Sequence, residues 1–198
     1  MLSSNQSPPK AIVFDMDGTL FDTEKLYYIA FRRALQEQGF DLDEAFYHAN
    51  LAGTTNAHIE EDFTQRFGKG FSLVAYRECW PKELHLLIEA DGLPYMKGIP
   101  ELLEKLSKRD IPLAIASSSD IQEIEFFVGT ANILSYFQAL AGGNEVANSK
   151  PQPDVFLLAA ERLDIPPEEC LVIEDSNHGV AAAHTAGMRV AMTPGPAG

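Results

Sequence analysis

Apolar residues fall into two patterns along the chain. Ala11-Ile12-Val13-Phe14 is a short unbroken apolar run, which suits a strand buried on both faces, as in a parallel sheet. Similar runs recur at Pro112–Ala116, Ala139–Ala141, Leu171–Ile173 and Val190–Met192. Between them, apolar positions fall at helical spacing. Pro100 stands where a first-turn proline belongs, ahead of Leu102, Leu103 and Leu106. Asp120 and Glu123 have the spacing of a capping box before Ile124, Phe127 and Val128. Asp154 is placed to cap a helix carrying Val155, Leu158, Ala159 and Leu163. Val180–Ala186 is alanine-rich, and Gly187 occupies the position of a C-terminal cap. Strands alternating with helices predict an α/β fold around a Rossmann-like parallel sheet.

From Thr23 to Pro94 that rhythm stops, with no buried strand in the pattern. Tyr27, Phe31, Ala34 and Leu35 repeat at helical spacing, and Gly39 is placed to end that helix. Ile59, Phe63 and Phe67, then Leu84, Leu87 and Ile88, predict further helices. The expected organisation is a flexible leader over 1–10, an α/β core over 11–22 and 95–198, and a separate all-helical domain over 23–94. Gly92-Leu93-Pro94 forms one side of the hinge.

The bulk properties narrow the function. A chain of 198 residues accommodates one full domain and a small accessory one. The formal net charge of -14 repels nucleic acid and anionic lipid at long range, so neither is an expected partner. A small phosphorylated substrate needs only a local positive site and remains compatible. Cys79 and Cys170 lack metal-ligand spacing, which fits a reducing, cytoplasmic setting. Met1–Lys10 lacks the apolar stretch of a signal peptide, and no run is long enough to span a bilayer. The pattern leaves the oligomeric state open.

Candidate chemistry begins with Asp15-Met16-Asp17-Gly18-Thr19-Leu20, directly after the first predicted strand. In open α/β sheets ligands bind outside the carboxyl ends of the strands. Two carboxylates two residues apart, on a turn that glycine permits, can converge on one metal and one reacting group. Ser117-Ser118-Ser119 follows the second strand, Lys150-Pro151 the third and Glu174-Asp175-Ser176 the fourth. Each has a plain reading alone: turn residue, solvated lysine, strand-end acids. Four polar groups after four successive buried strands point instead to one site at one sheet edge.

These segments resemble a known family. DMDGTLFDTE, IASSS, SKPQPDVF and VIEDSNHG look like the four motifs of the haloacid dehalogenase superfamily, in order and over 12–192. The helical insertion is similar to the cap of the beta-phosphoglucomutase-like and phosphoglycolate phosphatase-like branch. The resemblance implies Asp15 as nucleophile and Asp17 as acid and base. It implies Ser117 and Lys150 as phosphate-binding groups. Magnesium would be held by Asp15, the Asp17 backbone carbonyl and Asp175, with Glu174 touching it or orienting one of its waters. The expected activity is therefore magnesium-dependent hydrolysis of a small-molecule phosphate ester through an aspartyl-phosphate.

Departures from the family pattern bear on the alternatives. Mutases of this branch usually place histidine where Tyr27 stands and arginine where Asn56 stands, and both losses count against a phosphosugar mutase. A dehalogenase would need neither Asp17 nor Asp175. A non-catalytic phosphometabolite-binding protein would be expected to have lost at least one of the motif residues. Relatives generally continue with another strand and helix, whereas Gly198 follows soon after the fifth predicted strand. Asp22 and Thr23 are expected to support structure, and His178 to lie on the surface. His58 is expected on a helix surface or in contact with substrate, and Cys79 and Trp80 in the core of the cap.

Overall fold

The computed structural model describes residues 7–195. Five strands, β1 (Ala11–Phe14), β2 (Leu113–Ala116), β3 (Ala139–Ala141), β4 (Cys170–Glu174) and β5 (Arg189–Met192), form one sheet. All pairings are parallel, in the order β3-β2-β1-β4-β5. The chain steps outward from β1 through β2 to β3, then returns to the other side of β1 for β4 and β5. The strand order therefore reverses at the β1–β4 boundary, where crevices for ligands form in such sheets. Phe14 is in register with Ile115 on one side and Ile173 on the other, so β1, β2 and β4 end within one residue of one another.

The apolar runs make these strands because both sheet faces are covered. β1 and β2 are buried along their whole length. One face packs Ala11, Val13, Ala114, Ala116 and Val172 against α7 (Asp154–Leu163) and α8 (Asn177–Thr185), through Val155, Phe156, Ala159, Ala182 and Ala183. Small residues on α8 allow that helix to lie close to the sheet. Gly187, at φ 77°, ends it as expected, with Met188 N donating to Ala183 O.

The chain divides into two compact units, one running up to Asp22 and resuming at Pro94, the other Thr23–Leu93. The second unit contains α1 (Glu24–Gln36), α2 (Glu44–Asn50), α3 (Asn56–Phe67) and α4 (Leu73–Asp91). Asp43, Thr55 and Ser72 cap the last three, accepting from Phe46 N, His58 N and Ala75 N. Its core is aromatic: Phe31, Tyr47, Phe63 and Tyr76 are buried together, and Phe63 and Tyr76 meet edge to face at 5.4 Å. Cys79 and Trp80 pack against this cluster. The short α2 was not legible in the apolar pattern.

In the first unit α5 (Ile99–Ser107) carries Pro100 in its first turn as expected, and α6 (Ile121–Thr130) follows β2. Two capping expectations need correction. Asp120 stands at the N-cap of α6 but its side chain makes no cap bond: Glu123 N donates to the Asp120 backbone carbonyl at 3.0 Å, and Ile121 N donates to Asn144 Oδ1 at 3.0 Å. Asp154 is the first residue of α7 rather than its cap, and its Oδ1 accepts from Asn148 Nδ2. Residues 1–6 of the expected leader and 196–198 at the end lie outside the described residues. Lys10 is tied to Glu169 by a backbone bond of 2.9 Å and a salt bridge of 2.8 Å. Among the described residues, no helix is long and apolar enough to cross a membrane.

Candidate active site

Three neighbouring strand ends deliver the first groups. Asp15 continues β1, with its N–H on Ile173 O, and is 6% exposed. Ser117 continues β2, with its N–H on Ala141 O. Glu174 closes β4, and Asp175 follows it. Lys150 arrives differently, from the loop between β3 and α7, next to a cis Lys150–Pro151 bond.

Buried Lys150 joins the cluster. Its Nζ donates to Asp15 Oδ1 at 2.5 Å, to Glu174 Oε1 at 3.0 Å and to Ala116 O at 3.2 Å. The ammonium also sits 4.7 Å from the centre of the Phe156 ring, whose π face favours a cation. Burial disfavours the charged lysine, but Asp15 and Glu174 outweigh it and hold its pKa above the ordinary value. Burial pushes the Asp15 carboxyl up to about 7 against the opposing pull of Lys150, and Glu174 and Asp17 add to the rise. Asp175 is raised to about 6, by burial and then by Glu174.

Asp15, Glu174 and Asp175 each offer a carboxylate oxygen, and these oxygens all lie within 4.8 Å of one another. Such a cluster can coordinate a divalent metal. Three carboxylates share one ammonium, so the site carries surplus negative charge that a cation would balance. All the donors are oxygens, which suits a hard cation over a soft one. Gly18 leaves the room this needs: at φ 78° its backbone suits glycine, and a Cβ there would overlap the Asp175 carboxylate. Glu174 is the most engaged of the three. Its Oε1 takes Lys150, and its Oε2 accepts from Ser176 N at 2.5 Å.

Asp17 and Ser117 complete the arrangement. Ser117 Oγ accepts from Ser119 N at 3.1 Å. Its own proton remains available to an anionic oxygen. Asp17 Oδ2 accepts from Ser119 Oγ at 3.2 Å. Sequence reasoning missed Ser119, Thr19 and Phe156. Thr19 Oγ1 donates to Asp175 Oδ1 at 3.4 Å. Ser119 and Thr19 lie inside motifs already singled out, but nothing local says which carboxylate each reaches. His178 is exposed on α8 and His58 on α3. Tyr27 packs its ring on Phe31 and Trp80, 5.7 and 6.1 Å between centroids.

A doubly wound parallel sheet, with paired acids after its first strand and serine, lysine and acids after the next three, defines a hydrolase core of the aspartate-nucleophile class. The profile of the haloacid dehalogenase-like hydrolases matches residues 12–193, and the chain belongs to that family. It is 32% identical over 193 residues to Protein CbbY of Rhodobacter capsulatus, covering 93% of this chain and 85% of that protein. It is also 32% identical to a phosphorylated carbohydrates phosphatase of Thermotoga maritima, over 90% of this chain and 82% of that one. Among solved structures, a mutant of CbbY from Rhodobacter sphaeroides in complex with xylulose-(1,5)bisphosphate superposes with a TM-score of 0.83 at 29% identity. That match covers 94% of this chain and 87% of the other.

Proposed function

We propose that the chain is a magnesium-dependent phosphatase that hydrolyses a small phosphorylated metabolite through an aspartyl-phosphate on Asp15. The observation that carries this reading is the buried Asp15 carboxylate at the end of the central strand, held 2.5 Å from the buried Lys150 ammonium. In that position Asp15 attacks phosphorus, the ester P–O bond breaks, and Asp17 gives its proton to the departing oxygen. Asp17 then takes a proton from water as that water attacks the aspartyl-phosphate, which releases phosphate and restores Asp15. Ser117 Oγ and Lys150 Nζ hold phosphoryl oxygens, and the Lys150 charge offsets the charge gathered there. Magnesium would be held by Asp15, Asp175 and the Asp17 backbone carbonyl, with Glu174 beside it, and would supply further positive charge to the transferring group.

One relative named for phosphorylated carbohydrates, and a solved structure in complex with xylulose-(1,5)bisphosphate, support a phosphorylated carbohydrate as the substrate class. Cys79 and Cys170 are both free thiols, which supports a cytoplasmic setting. Tyr27 lies in the aromatic packing of the cap beside Phe31 and Trp80, so the alternative of a phosphosugar mutase gains nothing from it. The deciding experiment incubates purified protein with a panel of sugar phosphates, phosphoglycolate and nucleotides, with magnesium and with chelator, and measures free phosphate. Magnesium-dependent release from at least one ester is expected; no release from any of them overturns the reading.

A further inference from the structure

The acid Asp17 does not stand alone, and the group that holds it comes from a loop 102 residues away in sequence. Ser119 Oγ donates to Asp17 Oδ2 at 3.2 Å. Ser119 is itself gripped at both backbone ends. Its N–H donates to Ser117 Oγ at 3.1 Å, and its carbonyl accepts from Gly143 N at 2.8 Å. The Gly142–Glu145 turn after β3 thus presses on the loop after β2. A Cβ on Gly143 would overlap the Ser118 carbonyl, so this approach requires glycine.

That turn is anchored in turn. Gly142 N donates to Glu145 Oε2 at 3.0 Å, and Glu145 is held by both guanidinium ends of Arg162 on α7, at 2.8 and 2.9 Å. Arg162 Nη1 also donates to Leu140 O in β3. Asn144 adds a second link to the loop after β2, receiving Ile121 N at 3.0 Å. A continuous series of bonds therefore runs from α7 through the β3 turn to the Asp17 carboxylate.

We infer that Ser119 is a positioning residue for Asp17: its hydroxyl holds Oδ2 and so helps set the direction in which that carboxylate presents its proton to the leaving-group oxygen. The hydroxyl can donate to Asp17 in its protonated and its ionised form, so one geometry serves both halves of the reaction. A carboxylate that loses this bond is held less closely in its direction, and proton transfer depends on hydrogen-bond reach. This inference rests on the proposed phosphatase reading, and specifically on Asp17 as acid.

The test compares parent, Ser119→Ala, Ser119→Thr, Gly143→Ala and Asp17→Asn on an alkyl phosphate (glycerol phosphate) and on p-nitrophenyl phosphate, in single turnover. The nitrophenolate leaves without a proton, so phosphorylation by it needs no acid. For Ser119→Ala we expect a loss of about tenfold in the alkyl phosphorylation rate, a small part of what a general acid contributes. KM should change less than about twofold and the aryl rate less than about threefold, since neither uses the aimed proton. Ser119→Thr, which keeps the hydroxyl, should recover most of the alkyl rate. Gly143→Ala, which leaves the hydroxyl in place but displaces its loop, should give the Ser119→Ala pattern if it folds. Equal losses on both substrates, an unchanged alkyl rate in Ser119→Ala, or no recovery in Ser119→Thr overturns the inference. An alkyl rate in Asp17→Asn equal to the parent's instead overturns the acid role on which it rests.

Discussion

Lys150 Nζ bridges Asp15 Oδ1 and Glu174 Oε1, at 2.5 and 3.0 Å, with all three residues buried. One ammonium thus joins the expected nucleophile on β1 to the acid that closes β4, across the point where the strand order reverses. Burial raises the Asp15 carboxyl, and Lys150 is the group that counters it. The lysine keeps a nucleophilic carboxylate available at neutral pH; its three N–H groups are matched by Asp15 Oδ1, Glu174 Oε1 and Ala116 O, so an incoming phosphoryl oxygen takes the place of one of these acceptors.

Replacing Asp15 by Asn keeps the shape of the side chain but removes the nucleophile. Turnover should fall by several orders of magnitude while the thermal melt stays cooperative. Parent enzyme quenched during turnover of a labelled substrate should carry acid-stable, hydroxylamine-labile phosphate, and Asp15→Asn should carry none. A folded Asp15→Asn protein with substantial activity would end the covalent mechanism.

Lys150→Met removes the cation bonded to Asp15 and leaves Asp15 and Glu174 facing each other without it. Breaking a buried pair typically costs about 3 kcal/mol, so denaturant melts at pH 7 should show a loss of that order. The loss should shrink at pH 5, where Asp15, with its pKa of about 7, is protonated and no longer needs the ammonium. A loss that is the same at both pH values would show that packing rather than charge accounts for it.

Burial, and then Glu174, raise the Asp175 carboxyl from 3.8 to about 6. A folded state that holds a proton more tightly than the unfolded chain loses stability as pH rises. The contribution of Asp175 is therefore fully present below about pH 3.8 and gone once pH has passed about 6. Magnesium needs the deprotonated carboxylate, so its stabilising effect should grow over the same window. Melts in chelator and in magnesium should separate more at pH 7 than at pH 5. Asp175→Asn should narrow that separation at pH 7 and lose activity. Equal separation at both pH values would argue against Asp175 as a ligand.

Tyr27 and Asn56 carry no positive charge, and Tyr27 is engaged with the rings of Phe31 and Trp80. The phospho-enzyme is accordingly expected to discharge to water. With beta-glucose 1-phosphate, magnesium and a trace of the 1,6-bisphosphate, any turnover should yield inorganic phosphate, with no need for the bisphosphate. Rapid conversion to glucose 6-phosphate with little phosphate released would promote the mutase.

The sequence by itself determined the strands, the order of the site segments and which candidate groups they carry. Those properties are local: Ala11–Phe14 is apolar at every position because both faces of β1 are covered, and Asp15 must come next in space because it comes next in chain. The short α2 escaped because seven residues do not establish a period. Tertiary structure alone decided which groups meet. Asp120 and Glu123 have capping-box spacing, yet Glu123 N bonds the Asp120 backbone carbonyl rather than its side chain, and Ile121 N is taken by Asn144 of the β3 turn, 23 residues away and outside any local pattern. Likewise Ser119 sits beside Ser117 in an ordinary Ser-Ser-Ser run, and only the parallel pairing of β1 with β2 and the press of Gly143 aim its hydroxyl at Asp17. Such contacts depend on how strand ends are levelled by the whole sheet, and no window of sequence contains that information.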